Sequence, residues 1–243
     1  MYKETLIGSG RTGHVYRIDG NPESKARKEF SPARSARLWN WLFYESPHPL
    51  STEDGQEHAY WKRRLAHRLG EYLGNGVDIV DAIAPSHRGF VSPFIEGHQP
   101  RRSEMQTIYP LVAKIESLFD DIGMPTWSFS RRNPFSASNF ISNENGIHIV
   151  DYEQSVPLPD TRGHMGYDDI YFDDVYPFIK ENKSDMLDKL GTDEMAALDE
   201  AFSLAKESHS RLDVRPRALS RFDKISRVLS SREMDRTVEN LYQ

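Results

Sequence analysis

Apolar and polar positions change period several times along the chain, and each change marks an element. From His14 to Ile18 the residues alternate in type and include the β-branched Val15 and Ile18, which predicts a strand. "DGNP" at Asp19 to Pro22 then supplies a turn that no helix would tolerate, and "KARKEF", Lys25 to Phe30, reads as a third strand after an opening one that ends in glycines. Between Ser31 and Ser46, Leu38, Trp41, Leu42 and Glu45 fall at helical spacing, and "SPHP" ends that run. A second helix is predicted from a cap-like Ser51 onward, with Trp61, Leu65, Leu69 and Tyr72 on one face and Glu57 one turn before Trp61. Gly76 to Gly97 holds β-type runs split by "PSHRG", the pattern of two antiparallel strands and their turn. Ser103 to Asp121 predicts a helix whose core stripe is Ile108, Leu111, Val112, Ile115, Leu118 and Phe119. "NFI" and "IHIV" around "SNENG" form a hairpin pattern ending in "VDYE". Helical patterns follow near Tyr167, from a capping Thr192, and over "RALSRFDKISRVLSS".

Glycines sharpen the picture at the start of the chain. "LIGSGRTGHV" fits G-x-G-x-x-G with Gly8, Gly10 and Gly13. In a dinucleotide-binding unit a helix opens at the third glycine. Here a strand follows, so the segment reads as a hairpin whose glycines let backbone amides approach phosphate oxygens.

At these residues the chain resembles the protein-kinase-like superfamily, in the style of its small-molecule kinases such as the aminoglycoside and choline phosphotransferases. Val15 occupies the valine position of G-x-G-x-x-G-x-V, and Ala26, Arg27 and Lys28 supply the A-x-K of the third strand, with Lys28 fifteen residues after Gly13. The resemblance implies an α+β, two-lobed fold: an antiparallel sheet plus helix over residues 1–97, and a mainly helical lobe with the catalytic and metal-binding loops over 98–238. Residues 239–243, "ENLYQ", resemble a tag-derived protease site that lacks its phenylalanine. It further implies that Val15 and Ala26 roof an adenine, that Lys28 contacts the α- and β-phosphates, and that a helix glutamate pairs with the lysine. Glu57 is the choice for that glutamate, with Glu53 the alternative. Ser92 to Gly97, including Glu96, would connect the lobes and offer backbone to the adenine edge. Asn139 and Asp151, twelve residues apart, take the two metal-ligand positions, so ATP and magnesium are the expected cofactors. Asp169 matches an aspartate that braces the catalytic loop.

One position departs from the pattern. The family places a catalytic aspartate five residues before the metal-binding asparagine, where this chain has Pro134; with one inserted residue the slot falls to Asn133. No Asp or Glu occurs between Gly123 and Ser142. An amide cannot take a proton as a carboxylate does, and general-base help is worth roughly 10²–10⁴ in rate, so slow catalysis is expected. Arg132 and its neighbour Arg131 could stabilise charge on a transferred phosphoryl group. Two readings follow, a slow ATP- and magnesium-dependent phosphotransferase and a pseudokinase acting as a nucleotide-binding or scaffold module. The phosphoryl acceptor, small molecule or protein, is not legible.

Composition adds limits. The formal charge of −6 gives no reason to expect nucleic acid as partner. No apolar run approaches membrane-spanning length and "MYKETLIGSG" has no signal-peptide core, so the expectation is a cytoplasmic protein without a membrane partner. With no cysteine there is neither a disulfide framework nor thiolate chemistry.

Overall fold

Three short strands open the chain as the alternation predicts. The computed structural model describes residues 3–20, 23–43, 48–74, 76–131, 133, 136–153, 157–159, 165–167 and 169–212. β1 (Glu4–Ser9), β2 (Gly13–Ile18) and β3 (Lys25–Phe30) pair antiparallel, with Val15 opposite Lys28 and Gly13 opposite Phe30. β6 (Gly89–Pro93) adds to β3 with Phe90 opposite Lys28, and β5 (Ala84–Ser86) lies beyond it, giving the order β1-β2-β3-β6-β5. Strand period sends Ala26, Lys28 and Phe30 to the inner face and Arg27 and Glu29 outward. Accordingly, Lys28 and Phe30 are buried, while Arg27 bonds Glu4 and Glu29 and lies over the Tyr16 ring.

The Gly76 to Gly97 stretch holds one strand more than the two predicted. β4 (Val77–Ile79) leaves the first sheet and pairs in parallel with β8 (Gly146–Ile149), which pairs antiparallel with β7 (Phe140–Asn143). Its partner is seventy residues away and both Val77 and Ile79 are buried, so no local alternation announces it.

α1 (Arg34–Phe43) follows β3, and α2 (Glu53–Leu73) follows a 3₁₀ turn at Pro49–Ser51. Ser51 ends that turn, and the cap of α2 is Thr52, whose hydroxyl accepts from the Gly55 amide at 3.1 Å. Gly55 is required there, since a Cβ would lie 2.0 Å from the Pro49 carbonyl oxygen. α3 (Arg102–Ile122) buries Ile108, Val112, Ile115 and Phe119, whereas Leu111 is 39% exposed because the predicted stripe was wider than the buried face. α4 (Phe172–Glu181) begins five residues later than the pattern near Tyr167 suggested. α5 (Lys183–Leu190) was not foreseen, and α6 (Thr192–Ser210) has Gly191, not Thr192, at its cap position. β9 (Pro157–Pro159) and β10 (Met165–Tyr167) form a small ribbon. The predicted terminal helix over 217–231 and residues 239–243 lie outside the described residues.

The architecture is α+β, with an antiparallel N-terminal sheet and a mainly helical C-terminal part. Two cores share α2. Ala59 and Tyr60 join Leu50, Phe30 and Phe90 under the sheet, while Leu65 and Leu69 join Val112, Ile115, Phe119, Phe140, Leu198 and Ala201 among the helices. Thus the second half of α2 and β4, on the N-terminal side of residue 97, pack into the core of the helical part.

Candidate functional site

The glycine turn closes the β1/β2 hairpin, just past the Ser9–His14 pair. The Gly10 amide donates to the Gly13 carbonyl at 2.9 Å, and the turn is tied down by Ser31 and Ala33, whose amides donate to the Thr12 and Arg11 carbonyls. The three glycines differ in what they face. At Gly13 a Cβ would sit 2.0 Å from the Glu29 carbonyl oxygen, so close packing of β2 on β3 demands glycine. At Gly8 the nearest contact is an ordinary 3.8 Å to Val15, and at Gly10 nothing lies within 4 Å. Internal packing therefore accounts for Gly13 and leaves Gly8 and Gly10 with room above them.

Register puts Val15 beside Lys28 on one face of the sheet, with Ala26 two residues along. The Lys28 ammonium donates to Asp151 at 2.8 Å and to Glu153 at 2.5 Å. Burial alone would pull Lys28 below the usual lysine range, but the two carboxylates reverse that and hold it above. Asp151 is pushed up by burial and by the like charge of Glu153, against the pull of Lys28. Glu153 is held well down, since Arg63 and Lys28 outweigh its burial. Asp151 and Glu153 reach one ammonium because residues two apart in an extended segment face the same way.

Glu57 is not brought to Lys28. It is exposed and bonds Arg211 at 2.5 Å, beyond the end of α6, while the alternative Glu53 is exposed in the first turn of α2. The α2 residue that reaches the site is Arg63, six positions on and so about 240° around the helix from Glu57. Its guanidinium donates to the Val80 carbonyl at 2.5 Å, to the Val150 carbonyl at 3.0 Å and to Glu153. Sequence reasoning assigned no role to Arg63 or Glu153. Their signals were three cations, Lys62, Arg63 and Arg64, set between Trp61 and Leu65, and the glutamate already visible in "IVDYE".

Asn139 and Asp151 are neighbours through backbone: the Asn139 carbonyl accepts from the Val150 amide at 2.8 Å. The Asn139 side chain is buried, its Nδ2 donating to the Ser128 carbonyl at 2.5 Å, which fixes Oδ1 as the oxygen turned elsewhere, 3.3 Å from the Ser138 hydroxyl. A carboxylate and an amide oxygen are hard donors that suit magnesium, which keeps waters or phosphate oxygens for its other positions. Among the described residues no group of three His, Asp or Glu could hold a metal without such help.

Asn133 is buried, with Nδ2 donating to the Trp127 carbonyl at 3.2 Å. Nearby, the Ser130 hydroxyl donates to Glu116 of α3 at 2.6 Å. Arg132 and Pro134 lie outside the described residues. Glu96 is exposed, and its carbonyl accepts from Asn143 Nδ2 at 2.9 Å, so that oxygen is engaged by the β7–β8 turn instead of being open to an adenine edge. Asp169 does not brace the loop before Asn139. It is buried against His58, 3.0 Å away, and Lys62, 3.4 Å away, while His58 Nδ1 meets the Ala205 carbonyl at 3.1 Å, so the cluster ties α2 to α6. His58 and Lys62 hold the Asp169 carboxyl well below its usual range despite burial.

No family model and no curated protein matches the chain. Among solved structures the chain is similar to the Rio2 kinase–ADP/Mg²⁺–phosphoaspartate complex from Chaetomium thermophilum, at 14% identity over 87% of this chain and 72% of that one, with a TM-score of 0.43.

Proposed function

We propose that the chain binds a magnesium–nucleotide, ATP in the first instance, between the glycine turn and Asp151, and that it is a slow phosphotransferase of the protein-kinase-like kind. The observation that carries this reading is the buried Lys28, its ammonium bonded to Asp151 and its strand position opposite Val15 of a hairpin whose glycine turn has open space at Gly10. An ammonium has three donors, and two point at Asp151 and Glu153, leaving one for a phosphate oxygen. The amides of the glycine turn would approach the phosphates, while Val15 and Ala26 would cover the base. Asp151 and the side-chain Oδ1 of Asn139 would hold magnesium. The ion, when bound, neutralises phosphate charge and aligns the transferred group.

Asn133 can orient an acceptor hydroxyl but cannot take its proton, so transfer depends on positioning and electrostatics. That same side chain favours a second reading, a nucleotide-binding pseudokinase, because its amide is buried and bonded to the Trp127 carbonyl. Thermal denaturation with ATP and magnesium, on the native chain and on Lys28→Met and Asp151→Asn, tests the proposal, followed by γ-phosphate transfer from any binder. Stabilisation that needs both residues, with turnover, supports the phosphotransferase; at a hundredfold excess over Kd it should reach about 2.7 kcal/mol. Stabilisation without transfer to any acceptor tried leaves the pseudokinase reading. No shift in the native chain removes both.

A further inference from the structure

We infer that Arg63 is a positioning residue for Lys28, acting through Glu153 and most needed when Asp151 turns to a metal; the inference rests on the nucleotide reading above. Each oxygen of Glu153 has its own cation: Oε1 meets Arg63, and Oε2 meets Lys28 at 2.5 Å. Lys28 in turn reaches Asp151 Oδ1. The chain of charges is therefore Arg63, Glu153, Lys28, Asp151, two of each sign.

Exposure divides the four. The side chains of Arg63 and Glu153 are each 1% exposed and that of Lys28 9%, whereas Asp151 stands at 27%. Asp151 is thus the member that can change partners. If its charge goes to a metal ion, Lys28 keeps one anion, and the placement of that anion decides where the ammonium points. Arg63 supplies the placement. It spans the Val80 and Val150 carbonyls, at the ends of the paired strands β4 and β8, and the Val80 amide itself donates to the Ile149 carbonyl. Its guanidinium also lies 5.3 Å from the centre of the Phe90 ring, the residue opposite Lys28 in the sheet. One side chain of α2 therefore touches the sheet beside Lys28, the strand end before Asp151, and the carboxylate on Lys28. A planar fork with five donors can satisfy these acceptors together, and a lysine's point charge cannot. The pair is charge-inverted relative to the helix glutamate expected from sequence: the helix supplies the cation, and the carboxylate comes from the segment after β8.

Isothermal titration of ADP, with and without magnesium, tests this on the full chain. Arg63→Met would leave a buried carboxylate half-paired and invite unfolding. The series is therefore the native chain, Lys28→Met, Arg63→Lys, Glu153→Gln and the double variant Arg63→Lys/Glu153→Gln; the Glu153 variant cuts the same link from its other end. With magnesium, Arg63→Lys and Glu153→Gln should each weaken ADP binding by roughly 10- to 100-fold, the scale of one charge-assisted hydrogen bond. The double variant should bind no more weakly than Glu153→Gln alone, because Arg63 acts through Glu153. Without magnesium, Asp151 still holds Lys28, and Arg63→Lys should cost less than about threefold. Native-like magnesium–ADP binding by Arg63→Lys, multiplied losses in the double variant, or an equal loss with and without magnesium would each overturn the inference while native binding and its dependence on Lys28 keep the nucleotide reading intact. A native chain that binds no ADP overturns both.

Discussion

Helix α2 carries two clusters of buried charge, one built on Arg63 with Glu153, Lys28 and Asp151, the other on His58 and Lys62 with Asp169. Both set basic side chains of the helix against carboxylates distant in sequence, and both would be costly as isolated charges. They differ in access. In the second, the side chains of His58, Lys62 and Asp169 are 3%, 0% and 8% exposed, His58 is held from behind by the Ala205 carbonyl, and the exposed neighbour is a base, His209, 41% exposed and 3.9 Å from Asp169. The first is sealed at its Arg63 end and open at Asp151. A carboxylate buried among its partners can only fasten elements, here α2 to α6. An exposed one can leave its cation for a metal ion, so exposure of the carboxylate, at Asp151 but not at Asp169, separates the candidate site from a structural tie.

The largest effect that sharpens this contrast is on stability. Asp169→Asn leaves the buried Lys62 ammonium and the His58 ring facing an amide and should cost about 3–5 kcal/mol in chemical denaturation, whereas Asp151→Asn relieves a carboxylate beside another carboxylate and should cost about 1 kcal/mol or less. Equal losses would erase the distinction. The glycine turn repeats the contrast on a smaller scale. Gly13→Ala forces a Cβ onto the Glu29 carbonyl and should cost about 1–3 kcal/mol, while Gly10→Ala, with nothing within 4 Å, should stay within about 0.5 kcal/mol yet weaken ATP binding. Native-like ATP binding by a folded Gly10→Ala would show that its openness has no bearing on ligand approach.

The subtlest difference is in pH dependence, where the two aspartates carry opposite signs. Asp169 is held below its ordinary value of 3.8, so its contribution to stability is complete above that pH and is lost as pH falls through its folded value. Asp151 is raised above 3.8, so its folded form binds the proton more tightly than the unfolded chain, and its ionisation subtracts stability as pH rises from 3.8 through the folded value. Denaturation midpoints from pH 7 down toward pH 3 should therefore show the Asp169→Asn deficit shrinking on acidification, while the small deficit of Asp151→Asn grows. Parallel slopes for the two variants would contradict the assigned environments.

Local pattern carried much of the fold. β3 was legible to the residue, and the hairpin of β7 and β8 was marked by "SNENG", because turn chemistry and alternation act over a few positions. β4 was hidden because its pairing spans seventy residues, and α5 because an eight-residue polar helix has too few turns to show a period. At the site, strand position and motif spacing singled out Lys28 and Asp151 separately, and the fold joins them in a direct ion pair that the sequence did not announce. Glu57 failed on rotation: sequence spacing tells which residues share a helix face, but not which face turns to a partner folded in from elsewhere. Arg63 and Glu153 were hidden for the same reason, since a buried ion pair ninety residues apart leaves no local signal, and Arg63 stands between the equally basic Lys62 and Arg64.

The central claim is that Asp151 exchanges Lys28 for a nucleotide-bound magnesium ion. Titrating ATP into the native chain and into Asp151→Asn, each with and without magnesium, tests it most directly. Binding that magnesium strengthens by roughly tenfold or more in the native chain, and leaves unchanged in Asp151→Asn, is the predicted result. An undiminished magnesium effect in Asp151→Asn, or no ATP binding by the native chain, would contradict it.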